Sequence, residues 1–166
     1  MTFEAFVPEV EEVRGGEPAD AVLESARRKA AAGAAPGALV IGCDTEVVVD
    51  GRMLGKPGGE AEARQFLKTL SGRSHEVLSG LVLLGPQQRR IREGVARTAV
   101  SFRALGEEAV DRYLASGEWR DRAGGYAIQG LGSTLIERIE GDLSNVIGLP
   151  LALLLELCPE LSPGER

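Results

Sequence analysis

Aromatic residues are scarce, 4% of the 166-residue chain, which leaves too few flat rings for the stacking platform that single-strand binders use. A basic excess is absent as well. Nineteen Lys and Arg stand against 25 Asp and Glu, a net charge of −6, so a sequence-independent grip on duplex phosphates is not expected. Small anionic ligands stay open, because a few local cations can hold them against the net sign. Cysteine occurs twice, at Cys43 and Cys158, far apart and never as a CxxC pair. That argues against a zinc site or a disulfide framework and for a reducing compartment. Both read as small core hydrophobes. No apolar run reaches the ~18 residues of a membrane span; the longest, over 146–157, is broken by Gly148, Pro150 and Glu156. The opening residues show no cationic stretch followed by an apolar one, so no signal peptide is expected and the expected location is the cytoplasm. The phosphate-binding patterns GxxxxGK[ST] and GxGxxG are also missing.

What remains is ordinary globular composition, 43% hydrophobic and 27% charged. The length fits one domain, expected over 1–158 with a tail at 159–166. Alternation over 2–7 predicts a short strand ending at Pro8, and Pro18 at a first helical turn predicts a helix over 18–32. The apolar run 38–43 predicts a strand buried on both faces, ending at Asp44-Thr45. Asp50-Gly51 predicts a tight hairpin between 46–49 and 52–54. Helical spacing of Ala63, Phe66, Leu67 and Leu70 predicts a helix over 60–70. Two long β segments, 76–84 and 91–104, meet across Gly85-Pro86, and a helix follows to about 116. The glycine-dense stretch 121–132 predicts a loop pressed against something. A strand over 133–139 and an apolar helix from Pro150 complete the chain. The fold expected is α/β: a mixed, twisted sheet flanked by helices.

Several polar residues stand out. Asp44 at a strand end sits where α/β sheets place ligands, although a turn aspartate satisfying local N–H groups fits equally. Lys56, between Gly55 and Pro57, can be aimed at a phosphate or can be a solvated lysine. Glu11 and Glu12 read as a solvated acidic cluster, or one of them joins Asp44 in a pocket suited to a hard divalent ion. Lys29 is expected on the buried side of its helix, on successive turns with Val22 and Ala26; of Arg27, Arg28 and Lys29, only one can point inward. Gln129, with both a donor and an acceptor, can read a nucleobase edge or satisfy a loop carbonyl. Ser71 to His75 offers no third orienting group for a Ser–His nucleophile; His75 is expected to open the following strand.

Taken in order, five motifs resemble the Maf family, the septum-formation-inhibitor-like nucleoside triphosphate pyrophosphatases. They are Gly42-Cys43-Asp44-Thr45, Leu54-Gly55-Lys56-Pro57, Leu70-Ser71-Gly72-Arg73-Ser74-His75, Ala123 through Gly130, and Gly141-Asp142 through Pro150. The resemblance runs from about residue 3 to 157. It implies a fold like that of inosine triphosphate pyrophosphatase, with two lobes around a deep cleft, in a homodimer; from charge and hydropathy, neither nucleic acid nor a membrane is expected as a partner. It implies a house-cleaning hydrolysis of a nucleoside triphosphate to the monophosphate and pyrophosphate, with a divalent cation such as Mg²⁺, Mn²⁺ or Co²⁺. Carried onto this chain, it implies Asp44, Glu11, Lys56 and Lys29 as catalytic residues and Glu11 with Asp44 as metal ligands. Gln129, Arg73, Thr45 and Glu12 become substrate contacts. Ile128-Gln129-Gly130 resembles the branch acting on dTTP and UTP, where the 7-methyl-GTP branch has Ser-Glu-Gly. Two departures appear. Arg122 stands where the family usually has lysine, and the family's first strand and helix, with their Ser-x-Ser-Pro-Arg-Arg motif, have no counterpart here. The second departure admits an alternative expectation, a nucleotide-binding or division-regulating protein with impaired catalysis.

Overall fold

The computed structural model describes residues 3–35, 37–85 and 91–162. Helix α1 (Pro18–Ala32) opens on a proline, whose missing N–H costs nothing in a first turn. Strand β1 (Val40–Val49) turns into β2 (Arg52–Leu54) through Asp50 and Gly51. Both turn residues have positive φ, 50° and 74°, as a type I′ turn requires. Helix α2 (Glu60–Leu70), strands β3 (Ser74–Leu84) and β4 (Ile91–Phe102), and helix α3 (Glu107–Ser116) follow. After two 3₁₀ segments come β5 (Ile136–Glu140), α4 (Leu143–Ile147) and α5 (Leu151–Leu157). The five strands lie in the order β2-β1-β3-β4-β5, and every neighbouring pair is antiparallel. The α/β architecture expected from the sequence is therefore present.

The sheet is covered on both sides. On one, α1 lies flat because β1 and β3 present glycines to it. A Cβ on Gly42 would stand 2.6 Å from the Ala30 backbone nitrogen, and one on Gly80 would stand 2.7 Å from the Leu23 Cα. Val22, Ala26 and Ala30 of α1 are fully buried there, against Val82, Leu84, Val48 and Leu78. On the other side two separate packs form. One combines α2, α3 and the glycine-rich stretch around Leu67, Tyr113, Trp119 and Tyr126. The second sets Leu154 and Cys158 against Leu81 and Leu83.

Some expected elements differ. Thr2 lies outside the described residues, and Phe3 to Val7 form no strand; Phe3 and Val7 are exposed, and alternation without a ladder partner does not make a strand. The strand expected to end at Asp44 runs on to Val49 as one ten-residue element. Asp44 is thus mid-strand, because the antiparallel ladder with β3 continues to Val48. Nor is its first half buried on both faces, since Ile41 is exposed. The strand expected from 133 begins at Ile136, after Gly130–Leu135 coil into 3₁₀ turns. Pro86 of the expected β3–β4 junction lies outside the described residues, as do the last four residues of the tail; Pro159–Leu161 form a short 3₁₀ turn.

Candidate active site

Strand β2 pairs only with Val47, Val48 and Val49 of β1. Among the described residues, the 40–46 half of β1 therefore has a strand on one edge alone. A cleft of about 210 Å³ opens along this edge and into the gap between the two packs. Successive β1 side chains point to opposite faces, so both rows reach it: Asp44 and Glu46 from the α1 side, Thr45 and Val47 from the other.

Lysine 29 organises the acidic side. Its Nζ donates to Glu12 Oε1 at 2.8 Å and to Asp44 Oδ1. Of the three consecutive cations of α1, it alone turns inward. Arg27 pairs with Glu93, and Arg28 reaches Glu24 and the Glu11 carbonyl. Burial would lower the Lys29 pKa, but hydrogen bonds to Asp44 and Glu12 raise it above the ordinary value. Burial pushes the Asp44 carboxyl up, with Lys29 pulling against it. Burial also acts to raise Glu12, yet the Lys29 hydrogen bond and the charges of Lys29, Lys56 and Arg14 bring it below its usual value.

The structure places Glu12, not Glu11, in the cleft. Helix α1 clamps the chain on both sides of Glu12. Arg28 Nη1 donates to the Glu11 carbonyl at 3.0 Å, and the Val13 amide donates to the buried Ser25 hydroxyl at 2.9 Å. The Glu12 side chain is thereby sent to Lys29, while Glu11 stays exposed and outside the cleft lining. Arg73 also lies elsewhere: its guanidinium pairs with Asp50 at 2.7 Å, tying the end of α2 to the β1–β2 turn. Thr45 lines the cleft with its hydroxyl 2.7 Å from that of Ser79.

Lys56 and Gln129 come to the same cleft from two loops. Lys56 is exposed. Gln129 caps a 3₁₀ segment without a side-chain cap hydrogen bond, which leaves its amide available. The loop bearing it is held by α3 and the residues just after. The Ala127 amide donates to the Tyr113 hydroxyl at 2.9 Å, and Glu118 accepts from the Leu131 and Gly132 amides at 2.9 and 3.0 Å. Gly124, at φ +68°, packs where a Cβ would meet Val47 Cγ2 at 2.8 Å; close approach to β1 requires glycine there.

Across the cleft, Asp142 caps α4 by accepting from the Ser144 amide at 2.7 Å. The fully buried Asn145 donates to the Val77 carbonyl and the Thr98 hydroxyl, each at 3.0 Å. The Cys43 thiol donates to the Gly148 carbonyl at 3.2 Å, and burial pushes that thiol up to about 11. His75 is the second residue of β3, one place inside the strand it was expected to open. It is buried, with Nε2 2.7 Å from the Tyr126 hydroxyl.

Glu46 escaped the sequence reading. It is buried, its Oε2 has no hydrogen-bond partner among the described residues, and burial with the charges of Asp44 and Glu12 pushes it up to about 7. An acid two residues from another in an apolar strand was the available signal, since that spacing puts both on one face. Ending the strand at Asp44 hid it.

The profile of the Maf family, described as Maf-like protein, matches residues 1–161. The chain is 48% identical over 160 residues to a protein of Deinococcus radiodurans named dTTP/UTP pyrophosphatase, covering 95% of this chain and 81% of that one. It is 42% identical over 166 residues to one of the same name from Dictyoglomus thermophilum, covering 97% and 86%. A third, from Pyrococcus horikoshii, is 44% identical over 137 residues, covering 81% and 73%.

Proposed function

Because this chain belongs to the Maf family, we propose that it hydrolyses dTTP and UTP to the monophosphate and pyrophosphate, the activity for which its relatives are named. The observation that carries this reading is the meeting of Glu12, Lys29, Asp44, Lys56 and Gln129 in one cleft, from five separate stretches of chain.

The chemistry asked of the protein is positioning and electrostatics. Asp44 orients a water for attack on the α-phosphorus and takes its proton. The bond from the α-phosphorus to the bridging oxygen breaks, and that oxygen leaves with pyrophosphate. A buried carboxyl with a raised pKa suits proton acceptance. Lys29, held charged by its two carboxylates, fixes Asp44 in place. Lys56, on its Gly-Lys-Pro loop, meets the charge growing on the leaving group, and the Gln129 amide offers a donor and an acceptor to a pyrimidine edge. All the acidic donors are oxygens, and one buried carboxylate oxygen of Glu46 has no partner. This set fits a hard divalent ion such as Mg²⁺, Mn²⁺ or Co²⁺. Asp44 would hold it, and when bound it neutralises phosphate oxygens as a Lewis acid.

The reading extends to a homodimer in the cytoplasm that takes free nucleotides rather than nucleic acid. Exposed Ile41, Leu143, Ile147, Leu149 and Leu151 support pairing of two copies. The net charge of −6 disfavours nucleic acid, and two unpaired cysteines suit a reducing compartment. No helix among the described residues is long and apolar enough to cross a membrane.

The test is pyrophosphate release from dTTP, UTP, CTP and purine triphosphates with Mg²⁺, in the wild type and in Asp44→Asn. We expect dTTP and UTP to lead. In the variant, kcat should fall about 100-fold or more with little change in KM. Binding without release in the wild type, or undiminished turnover in the variant, overturns the assignment.

A further inference from the structure

Asp44 and Glu46 leave β1 two residues apart on the same face, yet their surroundings differ. Lys29 bridges Glu12 and Asp44, so the position a metal would take between those two carboxylates already holds an ammonium. Glu46 is beyond its reach. The residue is only 9% exposed, and Oε2 is buried without any hydrogen-bond partner among the described residues. Gly55 faces its other oxygen: a Cβ there would stand 4.0 Å from Oε1, so glycine at 55 puts no side chain against it. A carboxylate oxygen stranded in this way calls for a ligand, because native structures rarely leave buried polar atoms unmet.

We propose that Asp44 and Glu46, rather than Asp44 and a glutamate of the 11–12 pair, grip the divalent cation that accompanies the triphosphate. Lys29 then acts as a strut, holding Glu12 and one oxygen of Asp44 while Glu46 faces the ion. Among the described residues, no three His, Cys, Asp or Glu side chains are grouped closely enough to hold a metal by themselves. Two protein carboxylates therefore leave the remaining positions to phosphate oxygens and water, which is how Mg²⁺ is commonly held. The inference rests on the reading above only in taking the cleft to bind a metal–nucleotide complex.

The experiment is a titration of the full chain with Mn²⁺, with α,β-imido-dUTP present as a non-hydrolysable probe, following the free Mn²⁺ signal by electron paramagnetic resonance. Glu46→Gln keeps the volume and removes the charge. It should weaken Mn²⁺ binding by at least about ten-fold, as loss of a metal-site partner does, while the probe's own affinity measured without metal does not fall. Should that variant fail to fold, Glu46→Ala is scored by the same criterion. Mn²⁺ affinity within about two-fold of the wild type overturns the proposal, as does a wild-type complex that takes up no Mn²⁺. Failure of the pyrophosphatase reading looks different: Mn²⁺ uptake would still depend on Glu46, but the wild type would release no pyrophosphate.

Discussion

Among the consecutive cations of α1, helical rotation rather than residue type selects the one that serves the cleft. Arg27 and Arg28 find partners at the surface, and Lys29 turns under to Glu12 and Asp44. That only one could do so, and that Lys29 lies on the buried side, was legible in the helical spacing; which acids it meets needed the helix to be placed on the sheet. His75 makes a second point at this scale. It is the only histidine of the chain, it packs edge-on against Phe102 and Tyr126, and burial pulls its pKa down from 6.5 to about 4. The folded protein therefore holds a proton there less tightly than the unfolded chain. The resulting stability is fully present above pH 6.5 and is lost as pH falls toward 4, up to about 3 kcal/mol in total. Urea unfolding of the wild type and His75→Gln across this range should show the extra loss in the wild type alone. Parallel pH profiles would show that His75 does not stay neutral in the fold.

Elements take their places through contacts that glycine permits. Helix α1 rests on Gly42 of β1 and Gly80 of β3, and that close approach brings Lys29 to Asp44 two residues further along the strand. Gly42→Ala would drive a methyl group into the α1 backbone near Ala26 and Ala30. We expect it to lower stability by about 2 kcal/mol, in the range of overpacked cores, and to reduce kcat as Lys29 shifts from Asp44. Urea midpoints and pyrophosphate release measure the two effects separately; an unaffected kcat would uncouple the helix seat from the site. The bounds of α1, of α2 and of the β1–β2 hairpin were readable because proline, apolar spacing and Asp-Gly act locally. The extent of β1 was not, because its continuation through Asp44 and Glu46 depends on the distant ladder with β3.

For the molecule as a whole, the antiparallel sheet separates two jobs. One face and its helices supply most of the apolar core, and the open edge of β1 supplies the chemistry. Leu67 of α2 is fully buried in the largest apolar cluster and does not line the cleft. Leu67→Ala should cost about 2–5 kcal/mol and leave the ranking of nucleotides as it was. A changed ranking at full folding would show that core and cleft are coupled.

The order of motifs, the identities of Asp44, Lys56 and Gln129 as residues to watch, and the α/β class were all determined by the sequence alone, since each depends on residue type and near-neighbour spacing. Which acid of the 11–12 pair faces Lys29, that Arg73 serves a turn, and that Glu46 is stranded beside Asp44 were decided only by tertiary structure. Those outcomes turn on side-chain direction and on burial, and both are set by chain segments far apart in the sequence.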